Sequence, residues 1–191
     1  MKYLRVADGA RSNAGGFTYK IDELNIADNW NPAASTPKEM GGFNFSQEDK
    51  LLRWIHRGDT LYDVIIPEGA EVIEINHKSS PSGVFRCNQI IITNPRALTK
   101  EMILDLYKKS TLPEKTYYQC FVTLLFRHYI DIVKYMIDDR INTNNVDDAI
   151  REFDDFIEKD ESGDIKTFTH EQFLEDVEEI RNYLQKIKEK K

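Results

Sequence analysis

The spacing of apolar residues changes near Pro95, and this change constrains the fold more than any other feature of the chain. Before Pro95, apolar and polar residues alternate over short stretches, which is typical of β-strands. After it, apolar residues recur every three or four positions, which is typical of amphipathic helices. We therefore predict an α+β protein, with a β-rich N-terminal domain over residues 1–95 and a helical region over residues 96–191.

The N-terminal half predicts a small, mostly antiparallel sheet of about five strands with one helix. The expected strands are KYLRVAD, FTYKI, TLYDVIIP, AEVIEIN and GVFRCNQIIIT. A tight turn from Pro67 to Gly69 is expected to join the third and fourth of them. The helix is expected to have Ser46 as its N-cap, to carry an apolar face and to end at Gly58.

The C-terminal half predicts helices throughout. Thr99 is the expected N-cap of a helix over residues 100–110. Residues 117–138 predict a pair of short helices, over 117–126 and 130–138. Residues 146–188 predict an antiparallel helix hairpin, because apolar residues recur there at a/d spacing. A capping box at Thr169 is expected to begin its second helix.

Composition and charge argue against several classes of protein. The net charge of -7 and the isoelectric point near 5.2 disfavour general binding to nucleic acid. No apolar stretch reaches the ~20 residues of a transmembrane helix, and the first residues lack the apolar core of a signal peptide. We therefore predict a cytoplasmic protein with no membrane partner, in which Cys87 and Cys120 are buried free thiols.

The sequence predicts no metal site. Its four histidines are scattered, without the pairing along a helix that zinc sites use. An acidic segment around Gly163 resembles a calcium loop, but Thr169 occupies the position where a bidentate glutamate is required. The usual phosphate-binding loops and nucleophile motifs are also missing from the sequence.

Polar residues in the N-terminal half are the candidates for a functional site. Arg5 and Arg86 lie within predicted strands, where an arginine is unusual unless it is paired or faces a cleft. We expect both to pair with carboxylates such as Asp63. Asn44 and Ser46 add two polar positions in the motif GGFNFS.

A set of spaced motifs covers residues 3–95: GGFTYKIDELNIADNWNP, MGGFNFS, LLRWIHRGDTLYDVIIPEGAEV and GVFRCNQIII. This set resembles the N-terminal module of ankyrin-repeat proteins from giant DNA viruses. The later segment FVTLLFRHYIDIVKYMIDDRINTNN resembles one ankyrin unit, with Arg127-His128 in place of the usual Gly-His and no TPLH opening. The resemblance implies a viral or bacteriophage-like origin and a role in host–virus interaction. It supplies no catalytic residues, so we predict a non-enzymatic protein-binding module that needs no cofactor.

A second resemblance, to ADP-ribosyltransferase-like folds, gives an alternative. These folds hold an arginine on an early strand, a serine on a middle strand and an acid on a later one. The resemblance implies NAD as cofactor, with Arg5 on a phosphate and Ser46 beside the nicotinamide. Asp63 or Glu71 would then stabilise the cationic ribose as the glycosidic bond breaks.

A further alternative is that the N-terminal domain captures a small nucleotide without turning it over. The nucleotide would then be held by Arg57 and Arg86 and by stacking on Trp30 or Tyr19. Asn44 is a further candidate for contact with the ligand.

Overall fold

The computed structural model describes residues 2–12, 16–75 and 83–190. Within these ranges the chain forms a seven-stranded antiparallel sheet and eight helices, which confirms the predicted α+β class. The chain divides into two compact units, Met1–Thr111 and Leu112–Lys191. The sheet belongs to the first unit, and the second unit is helical.

The strands of the first unit are β1 (Tyr3–Ala7), β2 (Asn25–Ile26), β3 (Phe43–Gln47), β4 (Thr60–Ile65), β5 (Val72–Glu74), β6 (Val84–Cys87) and β7 (Gln89–Ala97). Their order across the sheet is β2-β7-β4-β1-β3-β6-β5. Every neighbouring pair is antiparallel. The first strand of the chain therefore lies in the middle of the sheet.

The sheet differs from the predicted one in three places. β4 and β5 form no hairpin across the turn at Pro67, because β4 pairs with β1 and β7 whereas β5 pairs with β6. The single strand predicted over GVFRCNQIIIT is broken at Asn88 into β6 and β7, which lie on opposite sides of β1. The segment FTYKI forms only isolated bridges at Thr18 and Ile21.

An aromatic cluster covers one face of the sheet. Strand residues Tyr3, Phe45 and Phe85 lie with their ring centroids 5.1 to 5.5 Å apart. Phe17 and Tyr19, from the segment between β1 and β2, pack against the cluster and contact Phe43. This segment is irregular, but its aromatic side chains complete the core on this face.

A 3-10 helix, Glu48–Arg57, follows β3 and contacts both β1 and β3. As predicted, it has an apolar face, with Leu51 and Leu52 buried, and it ends before Gly58. The short helix α1 (Pro37–Met40) precedes β3.

Helix α2 (Lys100–Lys109) begins at Thr99, whose hydroxyl oxygen accepts a hydrogen bond from the Met102 amide, so the predicted N-cap is confirmed. It packs against the 3-10 helix and so belongs to the first unit, which ends beyond the boundary predicted at residue 95.

The helices of the second unit are α3 (Glu114–Leu125), α4 (Ile130–Arg140), α5 (Val146–Lys159), α6 (Asp164–Phe168) and α7 (Phe173–Lys188). Helices α3 and α4 correspond to the predicted pair. The connection between α5 and α7 contains α6. Two ion pairs link α5 to α7: Asp147 with Lys188 at 2.8 Å, and Asp154 with Arg181 at 2.9 Å.

The predicted capping box at the start of α7 is wrong. Gln172 is the N-cap residue, and its side chain makes no capping bond. Thr169 instead follows the end of α6, where its hydroxyl donates to the carbonyl oxygen of Ile165 in that helix. The acidic segment before α6 serves as a cap, because Asp160 accepts hydrogen bonds from the amides of Ile165 and Lys166.

Both cysteines are buried free thiols, as predicted. Across the described ranges, none of the helices combines the length and the apolar character that a bilayer crossing requires. The same ranges contain no group of three or more His, Cys, Asp or Glu side chains able to hold a metal ion. His77, one of the four histidines, lies outside these ranges.

Candidate anion-binding site

The site predicted from the sequence separates into two groups. Six of the residues lie around the start of β3: Arg5, Tyr19, Trp30, Asn44, Glu71 and Arg86. The other three, Ser46, Arg57 and Asp63, make their contacts elsewhere in the first unit. The contacts of the first group define the candidate site.

Arg5 is inserted where β1 and β3 separate. These strands pair only through Tyr3 and Leu4 in the described chain, and the next residue, Arg5, donates a hydrogen bond to the carbonyl oxygen of Asn44 instead. Its other terminal nitrogen lies 3.1 Å from the Ser12 hydroxyl. The residue is only 7% exposed, and its Nε has no hydrogen-bond partner. One donor of this buried guanidinium is therefore left without a hydrogen bond.

Arg86 brings a second guanidinium to this part of the sheet, but on the face that Asn44 and Ser46 share, opposite Arg5. It lies on β6 directly opposite Asn44, and its Nη1 donates to the carbonyl oxygen of Gly41 at 2.5 Å. Burial lowers the pKa of Arg86, and the positive charge of Arg5 lowers it further. The two positive charges therefore influence each other across the sheet, and we call Arg5 and Arg86 the arginine pair.

The carboxylate partner expected for these arginines is absent, which corrects the prediction from the sequence. Asp63 binds Arg96 instead, with its two oxygens 2.8 and 3.0 Å from the guanidinium nitrogens. In the described part of the chain, neither member of the arginine pair lies within ion-pair distance of a carboxylate. Burying a charge is costly unless an opposite charge compensates it.

Tyr19 forms the apolar wall of the site. Its ring lies 4.8 Å from the Arg5 guanidinium carbon in a cation–π contact, and 5.5 Å from the ring of Phe43. The side chain is 4% exposed, and this burial raises the pKa of its hydroxyl. The hydroxyl therefore remains protonated and contributes no negative charge to balance the arginine pair.

Trp30 lies beside Arg86 because both contact the same glycine pair. Gly42 has a φ of 70°, and a Cβ on it would lie 2.6 Å from the Trp30 ring and 2.6 Å from the Cys87 carbonyl oxygen. The indole nitrogen donates to the Glu71 carboxylate at 2.5 Å. Trp30 is therefore held in one orientation while remaining half-exposed.

The arrangement that the transferase alternative requires is not formed by these residues. Leu4 is directly opposite both Ser46 and Asp63, so these two share its face of the sheet. Arg5, the next residue, points to the other face. The Ser46 hydroxyl is buried and donates to the carbonyl oxygen of Gly83 at 3.1 Å, so it ties two strands together and does not cap the following helix.

Arg57 also lies apart from the arginine pair. It is at the end of the 3-10 helix, where its guanidinium lies over the ring of Trp54 at 5.6 Å. Asn44 is in the site, but it contacts Arg5 through its backbone carbonyl oxygen, which accepts the hydrogen bond. The sequence does not predict this backbone contact. Its side-chain Oδ1 is buried without a partner.

Sequence reasoning missed the backbone of Gly41 and Gly42, which links Arg86 to Trp30. The adjacent glycines in MGGFNFS were the available signal, because a glycine pair before a strand often marks a close approach of the backbone to another group.

No protein-family model, curated protein or solved structure matches this chain. The chemistry of the site therefore follows from its geometry alone.

Proposed function

We propose that the first unit binds a small molecule that carries a phosphate or similar anionic group, that Arg86 contacts this group, and that the charge of Arg5 on the opposite face adds to the positive potential there. The observation that carries the proposal is the arginine pair: two guanidinium groups, one of them 7% exposed, without a carboxylate partner in the described chain. We call this location the arginine-pair site.

Electrostatics support an anionic ligand. Two like charges that influence each other in a partly buried place destabilise the unit, and an anion beside Arg86 would offset part of the repulsion and part of the desolvation cost. Guanidinium groups present planar arrays of donors that match the oxygens of phosphate.

The surroundings of the site favour capture of the ligand over its chemical conversion. Cys87 is the potential nucleophile nearest along the β6 strand, but burial raises the pKa of its thiol to about 12, so it stays protonated. The Ser46 hydroxyl is buried and is already used in a hydrogen bond to the Gly83 carbonyl oxygen.

Thermal unfolding in phosphate and in chloride of equal ionic strength tests the proposal. We expect phosphate or pyrophosphate to raise the Tm, since a ligand at a hundred times its Kd stabilises by about 2.7 kcal/mol. The Arg86→Gln variant should lose this response. A purely structural Arg86 would give the opposite pattern, a less stable variant whose response to phosphate is intact.

Arg96→Gln is the matched control. Arg96 lies on the same sheet but has a carboxylate partner in Asp63. Its substitution should lower stability and leave the phosphate response unchanged. Loss of the response in both variants would attribute it to general surface charge and contradict the proposal.

The protein-binding role, the viral origin, the cytoplasmic location and the absence of a cofactor stay predictions. They rest on the sequence resemblance and on composition.

A further inference from the structure

We infer that an exposed apolar surface at one end of the sheet is a docking surface for a basic amphipathic helix of another protein. The surface consists of Leu24, Ile26, Ile65 and Ile91, which we call the edge patch. The inference goes beyond the proposed function, because the edge patch shares no residue with the arginine-pair site and takes a different kind of partner.

The strand register places the edge patch on one face of the sheet. Ile65 on β4 lies directly opposite Ile91 on β7. Ile26 on β2 lies opposite Gln89, and Gln89 is two residues before Ile91. Residues that oppose each other, or that are two apart along a strand, point to the same face. The three isoleucines therefore lie side by side across three adjacent strands, and Leu24 is two residues before Ile26 at the edge.

The same face is buried at the centre of the sheet and exposed at the edge patch. Leu4 lies opposite Asp63, which is two residues before Ile65, so Leu4 and Ile65 share this face. Leu4 is 1% exposed, whereas Ile65 is 51% and Ile26 is 56% exposed. Ile91, between them, is half-buried. A solvated sheet face ordinarily presents polar residues, so neighbouring exposed isoleucines indicate an interaction surface.

Acidic residues surround the edge patch and select the charge of its partner. The segment 20–28, which contains β2, carries three carboxylates and one lysine, and the loop 66–71 after β4 carries two carboxylates and no basic residue. This loop passes beside the end of β2, because Asn88 accepts hydrogen bonds from the amides of both Ala27 and Glu71. Such a rim attracts lysine and arginine side chains. It disfavours anionic lipid and a second copy of the same acidic surface.

The width of the edge patch fits a helix. Neighbouring strands are about 4.8 Å apart, so three strands present a surface about 10 Å wide, close to the diameter of an α-helix. A helix with apolar residues at i, i+3, i+4 and i+7 would cover the isoleucines. Lysine or arginine residues on either side of that stripe would then face the acidic rim.

NMR titration of the full chain tests the inference. The probe is a short helical peptide of leucine and lysine, with all its leucines on one face. We expect saturable binding, with the amide shift changes centred on the edge patch. One control peptide has glutamate in place of lysine, and another has the composition of the probe in shuffled order. Both controls should bind about tenfold more weakly, or weaker still, because one lacks the charge and the other the apolar face.

Three variants locate the contact. Ile26→Ser and Ile65→Ser should each weaken the probe about tenfold or more, and Leu174→Ser should leave its affinity unchanged. Leu174, in the second unit, is the matched control because it is 67% exposed and lies outside the edge patch. All three side chains are exposed, so the substitutions should leave the fold intact.

Several results would overturn the inference. They are absence of binding, shift changes centred elsewhere, and equal affinity of the probe for all three variants. A dimer of the unmodified chain that Ile65→Ser dissociates would show that the occupant is a second copy. Binding to vesicles of anionic lipid that Ile65→Ser abolishes would show that it is a membrane surface.

Discussion

At the residue scale, Asp63 links the stability of the sheet to pH. The hydrogen bonds from Arg96 are the main cause that lowers its pKa from 3.8 to about 2. A carboxylate whose pKa is lower in the folded state stabilises the fold above its unfolded pKa, and this contribution is lost as pH falls through the folded value. We expect a loss of about 1 kcal/mol between about pH 4 and about pH 2, after allowance for solvent screening.

The Asp63→Asn variant should lack this part of the pH dependence. Urea denaturation of both proteins across the same pH range measures this contribution. The difference between their unfolding free energies should change as the pH falls. Parallel curves for the two proteins would contradict the assignment of the pair.

Gly42 is the residue whose backbone the site depends on most closely. We expect Gly42→Ala to cost about 3 kcal/mol, because its φ of 70° is unfavourable for alanine and its Cβ would collide with Trp30. Gly69 is a matched control, since it has a φ of 82° but no atom within 4 Å of the position that a Cβ would take. Gly69→Ala should cost only about 1 kcal/mol. Equal costs in a thermal unfolding experiment would contradict the close contact with Trp30.

At the scale of elements, the two threonines predicted as helix caps behave differently. Thr99 caps α2 through the Met102 amide, whereas Thr169 makes no cap for α7. We expect Thr99→Ala to lower the unfolding free energy by about 1 kcal/mol. Thr169→Ala should change it by about 0.5 kcal/mol or less. The reverse order in chemical denaturation would show that the sequence-based prediction for α7 was right.

Local patterns predicted the elements better than their pairing. Thr99 and the apolar spacing that follows it were enough to place α2, because a cap and a periodic face are local signals. The break at Asn88 was missed because the apolar residues on both sides of it continue a strand-like pattern. Which neighbour each half takes depends on contacts with distant parts of the chain, and no local pattern specifies them.

At the scale of the whole molecule, the candidate site exists because the sheet order does not follow the chain order. β1 and β6 lie on either side of β3, which places Arg5 and Arg86 on opposite faces of the same part of the sheet, where their charges influence each other although they are far apart in sequence. The sequence identified both arginines as unusual. It grouped Arg5 with Ser46 incorrectly, because a shift of one residue along a strand reverses the face to which a side chain points.

The same order explains why the expected ion pairs were wrong. Asp63 on β4 is next to β7, so Arg96 reaches it, whereas Arg86 on β6 is two strands beyond β1. Residue type alone could not distinguish the paired arginine from the unpaired ones. The uncompensated charge of the arginine pair is thus a property of the fold, and it is the basis of the proposed function.

Isothermal titration calorimetry of the chain with phosphate tests this claim most directly. We predict saturable binding of one phosphate, weakened at least tenfold in Arg86→Gln, weakened less in Arg5→Gln and unchanged in Arg96→Gln. Absence of binding to the unmodified chain, or equal affinity in all three variants, would contradict the claim that the arginine pair is an anion-binding site.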